Sequence, residues 1–351
     1  SPTAARRCSW PAVRKIQAGI EQVPVNDFTP YLNSFDGLAP FDGYVEKGFL
    51  VDFIGQLTDA KFRDAWGVDP ETVGDNHAHT KWPSLSDGEL WFETFNWFAA
   101  AREARGSYTM MTLGSCYGGQ AVGSYLALQA LNPMPAMLVA VDGIPQNMVR
   151  TRGQLRNNGI NPDEHWMIEA AMSGDNSPVL FPIGAPGLGA QSCTQCNSPA
   201  ARMTILDMAK QNGTVEHLAQ SLLLRNSTGL TVNLEEGTEL EAPAEIAFVS
   251  ALTLNDLLAP FARVDYVEAD LQESEGLVFP PAMDQLTKKV RRVHLGTHSD
   301  LTHEVLEGQF RERGWDILFS YLPRRTYETP HATFEMLDGV ITAVNPALAY
   351  A

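Results

Sequence analysis

Two side chains that could move a proton lie just beyond predicted buried strands. The apolar runs Val264 to Ala269 and Val290 to Leu295 predict these strands, and the side chains beyond their ends are Asp270 and His298. Histidine titrates near physiological pH, so His298 is a candidate general base for removing a hydroxyl proton. Asp270 could orient an acceptor or act as the base itself. The alternative is that His298 is a loop residue that caps the helix predicted from Leu301.

A glycine-rich turn lies between a predicted strand and a predicted helix in Tyr108 to Tyr125, YTMMTLGSCYGGQAVGSY. Its glycines, Gly114, Gly118 and Gly119, lack a Cβ atom, can adopt positive φ, and allow a ligand to approach the backbone closely. The helix that follows begins with unpaired N–H groups that attract anions. Glycines at a strand end also form simple turns, so this segment alone leaves a nucleotide-type site and a structural turn both open.

Another carboxylate of interest, Asp142, ends the continuous apolar run from Pro135, which is typical of a buried parallel strand. A carboxylate at the tip of the second strand of a doubly wound sheet lies where a ribose would bind, and it can accept hydrogen bonds from both ribose hydroxyls. The alternative is a turn residue before Gly143 and Pro145. The helical segment between Gly114 and Asp142 favours the ribose interpretation.

Three groups of residues have the chemistry of metal ligands, and none is predicted to hold a resident metal. They are the acidic residues Glu268, Asp270, Glu273 and Glu275, the pair His77 and His79, and the pair Cys193 and Cys196. The acidic group would suit Mg²⁺, but the sequence shows no complete cage of oxygen ligands. The histidine pair is assigned to an exposed loop, and the cysteine pair lacks two further ligands at a spacing typical of zinc sites.

An alternation of strands and helices must position these residues, and it predicts a parallel sheet with right-handed crossovers. The seven predicted strands are the run that begins at Tyr108, then Pro135 to Asp142, Trp166 to Ala171, Val264 to Ala269, Val290 to Leu295, Trp315 to Tyr321 and, running antiparallel, Val340 to Val344. The predicted helices are Ser86 to Ala104, Gln146 to Asn158, Leu254 to Ala262 and Leu301 to Arg313.

The first of these helices carries a capping signal and an aromatic stripe. Ser86 is the predicted N-cap, with Glu89 as its reciprocal partner. The stripe is predicted to pack on the sheet rather than to form a cofactor box, and its members are Trp91, Phe92, Phe95 and Phe98.

The chain is predicted to consist of an accessory N-terminal region, residues 1–85, and an α/β domain, residues 86–351. The accessory region reads as turns and a few short helices, with helical spacing from Val45 to Trp66 and a loop from Gly67 to Pro83. The domain contains an insertion at about residues 181–250, where Pro199 to Leu224 reads as a helix. Because long insertions between core elements often cover a substrate, this one is predicted to be a helical lid.

Composition limits the classes of partner. The 351 residues carry a formal net charge of −17, with 42 acidic and 25 basic residues, which argues against a nucleic-acid partner. No apolar run approaches the ~20 residues of a membrane span, and four cysteines do not form a disulfide scaffold at this length. We therefore expect a cytoplasmic protein without membrane contact that acts on a neutral or cationic small molecule.

Several segments together resemble the FkbM-type S-adenosylmethionine-dependent methyltransferases. The resemblance covers roughly Asp87 to Pro346, and its segments are TMMTLGSCYGG (Thr109 to Gly119), AVDGIPQNMVRTRGQLRNNGINPDEHWMIEAAMSG (Ala140 to Gly174), VDYVEADLQESE (Val264 to Glu275), RRVHLGTHSDLTHEVLEGQFRERGW (Arg291 to Trp315) and DGVITAVNP (Asp338 to Pro346). The resemblance implies a Rossmann-like seven-stranded methyltransferase sheet with helices on both faces.

The resemblance also implies S-adenosylmethionine as the cofactor, S-adenosylhomocysteine as its product, and a set of contacts. The glycine turn, represented by Gly114, Ser115, Cys116 and Gly118, would face the methionine part and the ribose. Asp142 would contact the ribose hydroxyls, Ala171 and Met172 the adenine, and Gln191 would close over the base. Gly143 is implied as a further cofactor-binding residue. Asp270 and His298 would lie beside the transferred methyl group.

The chain departs from the resembled family at three places. Thr112 stands where the family usually has an acid that contacts the amino group of the cofactor, and Ser274 precedes Glu275 where a glycine is usual. The insertion around Pro199 to Thr238 is also longer than in the family. The acceptor need not be the same as in other members.

The function predicted from these observations is methyl transfer to a small-molecule acceptor, with O-methylation of a natural-product or sugar hydroxyl favoured. N-methylation or carboxyl methylation would use the same scaffold. An NAD-dependent dehydrogenase is a second enzymatic interpretation, although the G-x-x-x-G-G spacing differs from G-x-G-x-x-G. A degenerate, non-catalytic cofactor-binding protein is the third, and the oligomeric state, including a homodimer, stays open.

Overall fold

The computed structural model describes residues 28–182 and 246–349. Its N-terminal part contains four short strands: β1 (Asp42–Val45), β2 (Phe49–Val51), β3 (Leu57–Asp59) and β4 (Asn76–His79). β1 pairs with β4 and β2 pairs with β3, in both cases antiparallel. Two 3₁₀ segments lie between β3 and β4, at Ala60–Trp66 and Pro70–Thr72.

The helix predicted between Val45 and Trp66 is wrong for most of its length, because a turn separates the strands β2 and β3 and only Ala60–Trp66 is helical, as a 3₁₀ segment. Gly55 adopts a φ of 85°, a left-handed conformation that glycine tolerates and that ends regular structure. The carboxylate of Asp52 accepts hydrogen bonds from the N–H groups of Ile54 at 3.0 Å and Gln56 at 2.9 Å. These local bonds stabilise the turn between β2 and β3 at the expense of a helix.

The loop predicted from Gly67 to Pro83 is also wrong in part, because it contains β4. His77 and His79 share one face of this strand, since alternate residues point to the same side. His79 is the register partner of Asp42 in β1. The Asp42 carboxylate lies 2.6 Å from His77 Nε2 and 3.0 Å from His79 Nδ1, and all three side chains are exposed.

The first long helix, α1 (Glu89–Glu103), begins later than predicted, and Ser86 is not its N-cap. A 3₁₀ turn, Leu85–Asp87, precedes it, and Ser84 N donates to the carboxylate of Asp87 at 2.7 Å. Gly88 then joins the two elements with a φ of 59°. The predicted aromatic stripe of α1 is confirmed as core, and all of its members are buried.

The other strands of the described residues follow in chain order. They are β5 (Tyr108–Leu113), β6 (Ala136–Asp142), β7 (Trp166–Glu169), β8 (Ala171–Met172), β9 (Val179–Pro182), β10 (Ile246–Val249), β11 (Ala251–Leu252), β12 (Val264–Ala269), β13 (Val290–Thr297), β14 (Asp316–Tyr321), β15 (Arg325–Glu328), β16 (Thr333–Met336) and β17 (Gly339–Val344).

Seven of these strands form the central sheet in the order β14-β17-β13-β12-β5-β6-β7. β17 runs antiparallel to both of its neighbours, and the remaining neighbouring pairs are parallel. The chain builds the sheet outward from β5 through β6 and β7, then returns to the other side of β5 with β12. This topology confirms the predicted α/β, Rossmann-like seven-stranded sheet with an antiparallel last strand.

Helices cover both faces of the sheet, as predicted. The remaining helices are α2 (Gly119–Leu131), α3 (Pro145–Asn157), α4 (Leu254–Leu258), α5 (Glu275–Val278), α6 (Met283–Lys289) and α7 (Asp300–Glu312). Side chains of α1, α2 and α3 belong to one buried cluster, together with inward residues of β5 and β12 such as Met110 and Tyr266. Side chains of α4 to α7 belong to a second cluster on the opposite face, with residues such as Met111 and Val267.

The predicted lid from Pro199 to Leu224 lies outside the described residues, as do Gln191 and the cysteine pair. At the borders of that segment β9 pairs antiparallel with β10, and β8 pairs parallel with β11. None of the helices in the described part of the chain is long and apolar enough to cross a membrane.

Candidate active site

A cavity of about 570 Å³ opens at the carboxyl ends of β5, β6 and β12. β5 lies between the other two strands, so the cavity lies where the chain direction across the sheet reverses, the usual ligand position in open α/β sheets. A second cavity of about 520 Å³ lies near Phe35, Trp82 and His331, and no predicted site residue lines it. The first cavity is therefore the candidate site.

The N-terminal region forms one wall of this cavity. Asp52, Phe53 and Gln56 line it from the turn between β2 and β3, Thr58 from β3, and Arg63 from the 3₁₀ segment. Another wall comes from α1, which contributes Glu89, Glu93 and Trp97. None of these lining residues was predicted, because their positions depend on how distant segments pack.

Most of the predicted cofactor-binding residues meet at this cavity. The lining includes Gly114, Ser115, Cys116, Asp142, Gly143, Ala171, Met172 and Asp270. Gly118 and His298 are not among the lining residues, although both lie next to residues that are. The contacts of these residues with a cofactor stay a prediction.

The glycines of the turn are required by close packing. Gly114 has a φ of 84°, and a Cβ atom on it would lie 2.0 Å from the carbonyl oxygen of Asp270. Gly118 has a φ of 89°, and a Cβ atom there would lie 2.8 Å from Cγ2 of Thr151 in α3. The turn thus brings the end of β5 against the end of β12 and the start of α2 against α3.

The N–H groups at the start of the turn already have protein acceptors. Gly114 and Ser115 both donate to the carbonyl oxygen of Val141, at 2.9 and 3.0 Å, and Gly118 donates to Ser115 at 2.7 Å. The N–H of Cys116 donates to the carboxylate of Asp142 at 2.8 Å. These donors hold the shape of the turn, so they are not free to cradle a phosphate group.

Asp142 is held by neutral donors. Besides Cys116, Ile144 donates its N–H at 2.8 Å, and the amide of Asn147 donates to both carboxylate oxygens at 3.2 Å. Burial raises the pKa of Asp142 to about 6, and these hydrogen bonds oppose that rise. Asp142 therefore forms the turn of the alternative interpretation, and a ribose contact would have to be made beside these bonds.

His298 lies among three carboxylates. Its Nε2 atom is 3.2 Å from Asp270 and 3.6 Å from Asp338, and its Nδ1 atom is 3.3 Å from Glu275. Burial lowers the pKa of His298, but the hydrogen bonds and charges of Asp270 and Glu275 outweigh burial and raise the pKa to about 11. This raised pKa favours the imidazolium form at neutral pH, and the N–H of Glu273 lies 3.4 Å from Nδ1. This geometry is unfavourable for the predicted role of His298 as general base.

The alternative role of His298 as a helix cap is wrong. The cap of α7 is Ser299, whose Oγ accepts a hydrogen bond from Thr302 N at 3.3 Å. His298 precedes this cap and is almost fully buried. Its structural role is to neutralise the carboxylates that meet beneath α7.

Asp270 and Asp338 lie on the cavity side of His298 and differ in their pKa values. Burial raises the pKa of Asp270, but His298 and Gln272 outweigh burial, so the pKa lies below its usual value. Burial raises the pKa of Asp338 to about 6, and His298 opposes this rise. Asp270 was predicted as a site residue, whereas Asp338 was missed, because only the pairing of β17 with β13 brings it here.

The cavity has an acidic lining. Burial, followed by the negative charge of Glu93, raises the pKa of Glu89 well above its usual value, and burial raises the pKa of Glu93 to about 8. Glu268 also lines the cavity, and its burial raises its pKa well above the usual value. One sequence feature could have identified Glu89 and Glu93 as site residues. They lie beside the aromatic stripe of α1, and acids are unusual on the core-facing side of a helix.

Two groups of possible metal ligands have atoms within 4.8 Å of one another in the described residues. One consists of Asp270, His298 and Asp338 and the other of Asp42, His77 and His79. In the first group the protonated His298 ring binds the carboxylates as a cation in its own right.

Comparisons with known proteins come from sequences and from solved structures. No family model matches the chain. A relative from Jannaschia sp. (strain CCS1), provisionally named a methyltransferase, is 25% identical over 225 residues, which cover 62% of this chain and 67% of the relative.

Solved structures with similar folds include three methyltransferases. The FkbM methyltransferase from Methylobacillus flagellatus KT has a TM-score of 0.37 and 9% identity, covering 72% of this chain and 51% of its own. The O-methyltransferase from Bacillus cereus has a TM-score of 0.34 and 9% identity, covering 82% and 91%. The precorrin-6y C5,15-methyltransferase from Geobacter metallireducens GS-15 has a TM-score of 0.32 and 8% identity, covering 71% and 86%.

The fold assignment rests on the strand order of the chain itself, and the Jannaschia relative supports the predicted methyltransferase class. None of these similarities singles out the FkbM subgroup. The chain is thus similar to methyltransferases in sequence and has the seven-stranded α/β sheet predicted for them.

Proposed function

We propose that this chain is an S-adenosylmethionine-dependent methyltransferase that acts on a small-molecule acceptor. The observation that carries the proposal is the cavity of about 570 Å³ at the carboxyl ends of β5, β6 and β12, lined by the glycine turn and by Ala171 and Met172. The methyltransferase relative supports the same class.

The residues present fit the chemistry of this cofactor. It carries a sulfonium and an ammonium group, and the cavity lining contains a surplus of acidic side chains. Ala171, Met172 and Ile144 provide an apolar part of the lining that suits the adenine ring. When bound, the cofactor supplies an electrophilic methyl group.

The protein contributes positioning and a proton acceptor. In-line methyl transfer depends mainly on holding donor and acceptor in one geometry, which the packed turn at Gly114 and the walls from α1 and β3 provide. Asp338 lines the cavity, and its pKa of about 6 suits a base that removes a hydroxyl proton near neutral pH. We assign the proton-accepting role to Asp338 and a positioning role to His298, which holds Asp270 and Asp338 in place.

The acceptor proposed is a hydroxyl group of a natural product or sugar. A second candidate, N-methylation of an amine, is favoured by the acidic lining, since Glu89, Glu93 and Asp270 would attract a protonated amine. The dehydrogenase interpretation is weakened by the turn, because its first N–H groups are bonded within the protein and leave little for a pyrophosphate.

Isothermal titration calorimetry of the full chain with S-adenosylmethionine, S-adenosylhomocysteine and NAD tests this proposal. Saturable binding of the two sulfur compounds and none of NAD is expected. Absence of binding by both sulfur compounds would contradict it. A panel of hydroxyl and amine acceptors with methyl-labelled cofactor would then assign the acceptor class, and binding without turnover across the panel would favour the non-catalytic interpretation.

A further inference from the structure

A carboxylic acid lies in the middle of the central sheet and faces the cavity. Glu268 belongs to β12, with parallel strands on both sides, and is only 3% exposed. Acids are rarely buried without a partner, because an unpaired charge loses its hydration. Glu268 nevertheless lines the cavity, so one side of its carboxyl group faces the space where a ligand would bind.

Thr112 fixes the orientation of this acid. It is the register partner of Glu268 on β5, and its Oγ1 donates to Oε2 of Glu268 at 2.5 Å. Among the described residues Thr112 is the single hydrogen-bond partner of Glu268, and no lysine or arginine forms an ion pair with it. The other carboxyl oxygen, Oε1, is therefore available for a donor from the cavity.

Glu268 forms no ion pair in the part of the chain that the structure describes, although Arg63 lines the same cavity. The titratable groups around Glu268 are Tyr266 on the same strand, Asp270 just after that strand, Glu93 of α1 and His294 of β13. Burial and the charge of Arg292 lower the pKa of His294 to about 3, so that ring is neutral. Arg292 is itself bonded to Glu103 and Asn96 at 2.7 and 3.1 Å. None of these groups gives Glu268 an ionic partner, so a cationic group of a ligand could take that place.

We propose that Glu268, oriented by Thr112, binds an ammonium group of the ligand in the cavity. An ammonium supplies both the positive charge and the N–H donors that Glu268 lacks, and such charge-assisted hydrogen bonds are among the stronger ones in proteins. The inference rests on the proposed function for the identity of the ligand. The ammonium belongs either to the amino-acid part of the cofactor or to an amine acceptor.

The position of Glu268 also accounts for the departure at Thr112. The sequence has a hydroxyl where the resembled family has an acid, and the structure supplies an acid from the adjacent strand at the same register level. Paired residues of neighbouring strands point to the same face of a sheet. A carboxylate at position 112 or at position 268 can therefore face the same part of the cavity. At this level of the sheet the carboxylate stands on β12, and the threonine of β5 orients it.

Calorimetry with two ligands that differ by an amino-acid group tests the proposal. S-adenosylhomocysteine carries the ammonium, and 5′-methylthioadenosine does not. Glu268→Gln should weaken S-adenosylhomocysteine binding about 10- to 100-fold, the range expected for a lost charge-assisted bond, and change 5′-methylthioadenosine binding by less than about threefold. The exposed Glu335→Gln is the matched control, and thermal unfolding confirms that each variant is folded.

An amine arm distinguishes the two sources of the ammonium. If Glu268→Gln leaves S-adenosylhomocysteine affinity unchanged but abolishes binding of n-butylamine to the loaded protein, the ammonium comes from the acceptor. The proposal is overturned if Glu268→Gln changes the binding of neither S-adenosylhomocysteine nor n-butylamine. It is also overturned if the variant weakens S-adenosylhomocysteine and 5′-methylthioadenosine binding equally. Should the wild type bind no nucleoside ligand, the proposed function fails, and n-butylamine binding to the free protein still tests Glu268.

Proton release provides an independent readout. Burial raises the pKa of Glu268 well above its usual value, and an arriving ammonium favours the ionised form, so binding of an ammonium at Glu268 should be accompanied by the release of a proton. Titrations in buffers of different ionisation enthalpy measure that proton. Glu268→Gln should abolish the release, whereas Glu93→Gln should retain it; the reverse result would assign the site to Glu93.

An exchange of the two residues tests the orienting role of Thr112. Thr112→Val should weaken S-adenosylhomocysteine binding less than Glu268→Gln does. The double variant Thr112→Glu, Glu268→Thr restores a carboxylate at the same level of the sheet and should recover most of the affinity. Failure of a folded double variant to recover any affinity would show that the carboxylate acts only from β12.

Discussion

Two aspartates follow strands of the same sheet, and their surroundings give them opposite properties. Asp142, at the end of β6, accepts hydrogen bonds from neutral groups only, and burial raises its pKa to about 6. Asp270, after β12, faces the imidazolium of His298, which holds its pKa below the usual value. The difference shows that the donors around an aspartate, and not its position at a strand end, decide whether its pKa lies above or below the usual value.

The end of β6, at Asp142, and the end of β12, at Asp270, also differ in which parts of the chain surround them. The donors to Asp142 come from the glycine turn and from the turn that leads into α3, close to it in the fold and mostly close in sequence. The ion cluster around Asp270 draws on α5, the end of β13 and the start of β17. We therefore expect substitutions at the β12 end to be the more disruptive.

The largest effect is expected from removing the cation at the β12 end. His298→Leu leaves the carboxylates of Asp270, Glu275 and Asp338 without their shared partner, so it should lower the free energy of unfolding by about 3–5 kcal/mol. His303→Leu is the matched control, because His303 is buried but neutral, bonded to Thr297 and Ser320. Urea denaturation measures both. Equal losses would show that the cluster is an ordinary hydrogen-bond network.

The next effect concerns the glycine turn, which supplies a donor to Asp142 and packs against the end of β12. Gly114→Ala forces a Cβ atom against the carbonyl oxygen of Asp270 and strains a backbone with a φ of 84°, so it should cost about 2–4 kcal/mol. Gly106→Ala shares the positive φ, of 74°, but has open space around the new atom, and it should cost about 1 kcal/mol. Thermal unfolding measures the stability of both variants. Similar losses of stability would mean that Gly114 is not tightly packed against the carbonyl group of Asp270.

A third prediction addresses catalysis at the β12 end. Asp338→Asn removes the assigned proton acceptor, so it should lower kcat for a hydroxyl acceptor about 100-fold, equivalent to about 2.7 kcal/mol. S-adenosylhomocysteine affinity should stay nearly unchanged. Single-turnover rates with labelled cofactor measure the step, and a rate equal to that of the wild type would remove Asp338 from the mechanism.

The smallest expected effect is a difference in pH dependence. The pKa of His298 is raised to about 11 from 6.5, so its contribution to stability is complete below pH 6.5 and is lost as the pH rises toward 11. Between pH 8 and 9.5 the wild type should lose up to about 1.4 kcal/mol per pH unit more than a His298→Gln variant. Urea midpoints across this range test it, and parallel profiles would contradict a protonated His298.

The sheet and its main helices could be predicted because their signals are local. Continuous apolar runs marked the buried strands, and Asn158 followed by Gly159, with a φ of 73°, marked the end of α3. The N-terminal strands were missed because a turn held by Asp52 interrupts apolar residues that happen to have helical spacing. The spacing of apolar residues there favours a helix, whereas the turn held by Asp52 requires two strands, and the strands form.

The site was predicted only where its residues lie beside the ends of recognised strands. Gly114, Asp142 and Asp270 were found in this way and do line the cavity. Asp338 and Glu268 were not assigned to the site, because their roles depend on which strands are neighbours, and single-sequence patterns do not give the order of strands in a sheet. The protonation of His298 was missed for the same reason, since its carboxylates come from separate elements.

The N-terminal wall of the cavity has a consequence for how the chain unfolds. Leu57 and Asn158 exchange two hydrogen bonds of 2.8 Å, and Phe28 is fully buried against Phe319 of the central sheet. We therefore expect the residues on the two sides of a boundary at residue 85 to unfold together. A fragment that begins at residue 86 would expose an aromatic surface and open the cavity on one side, so the two parts should melt in a single transition.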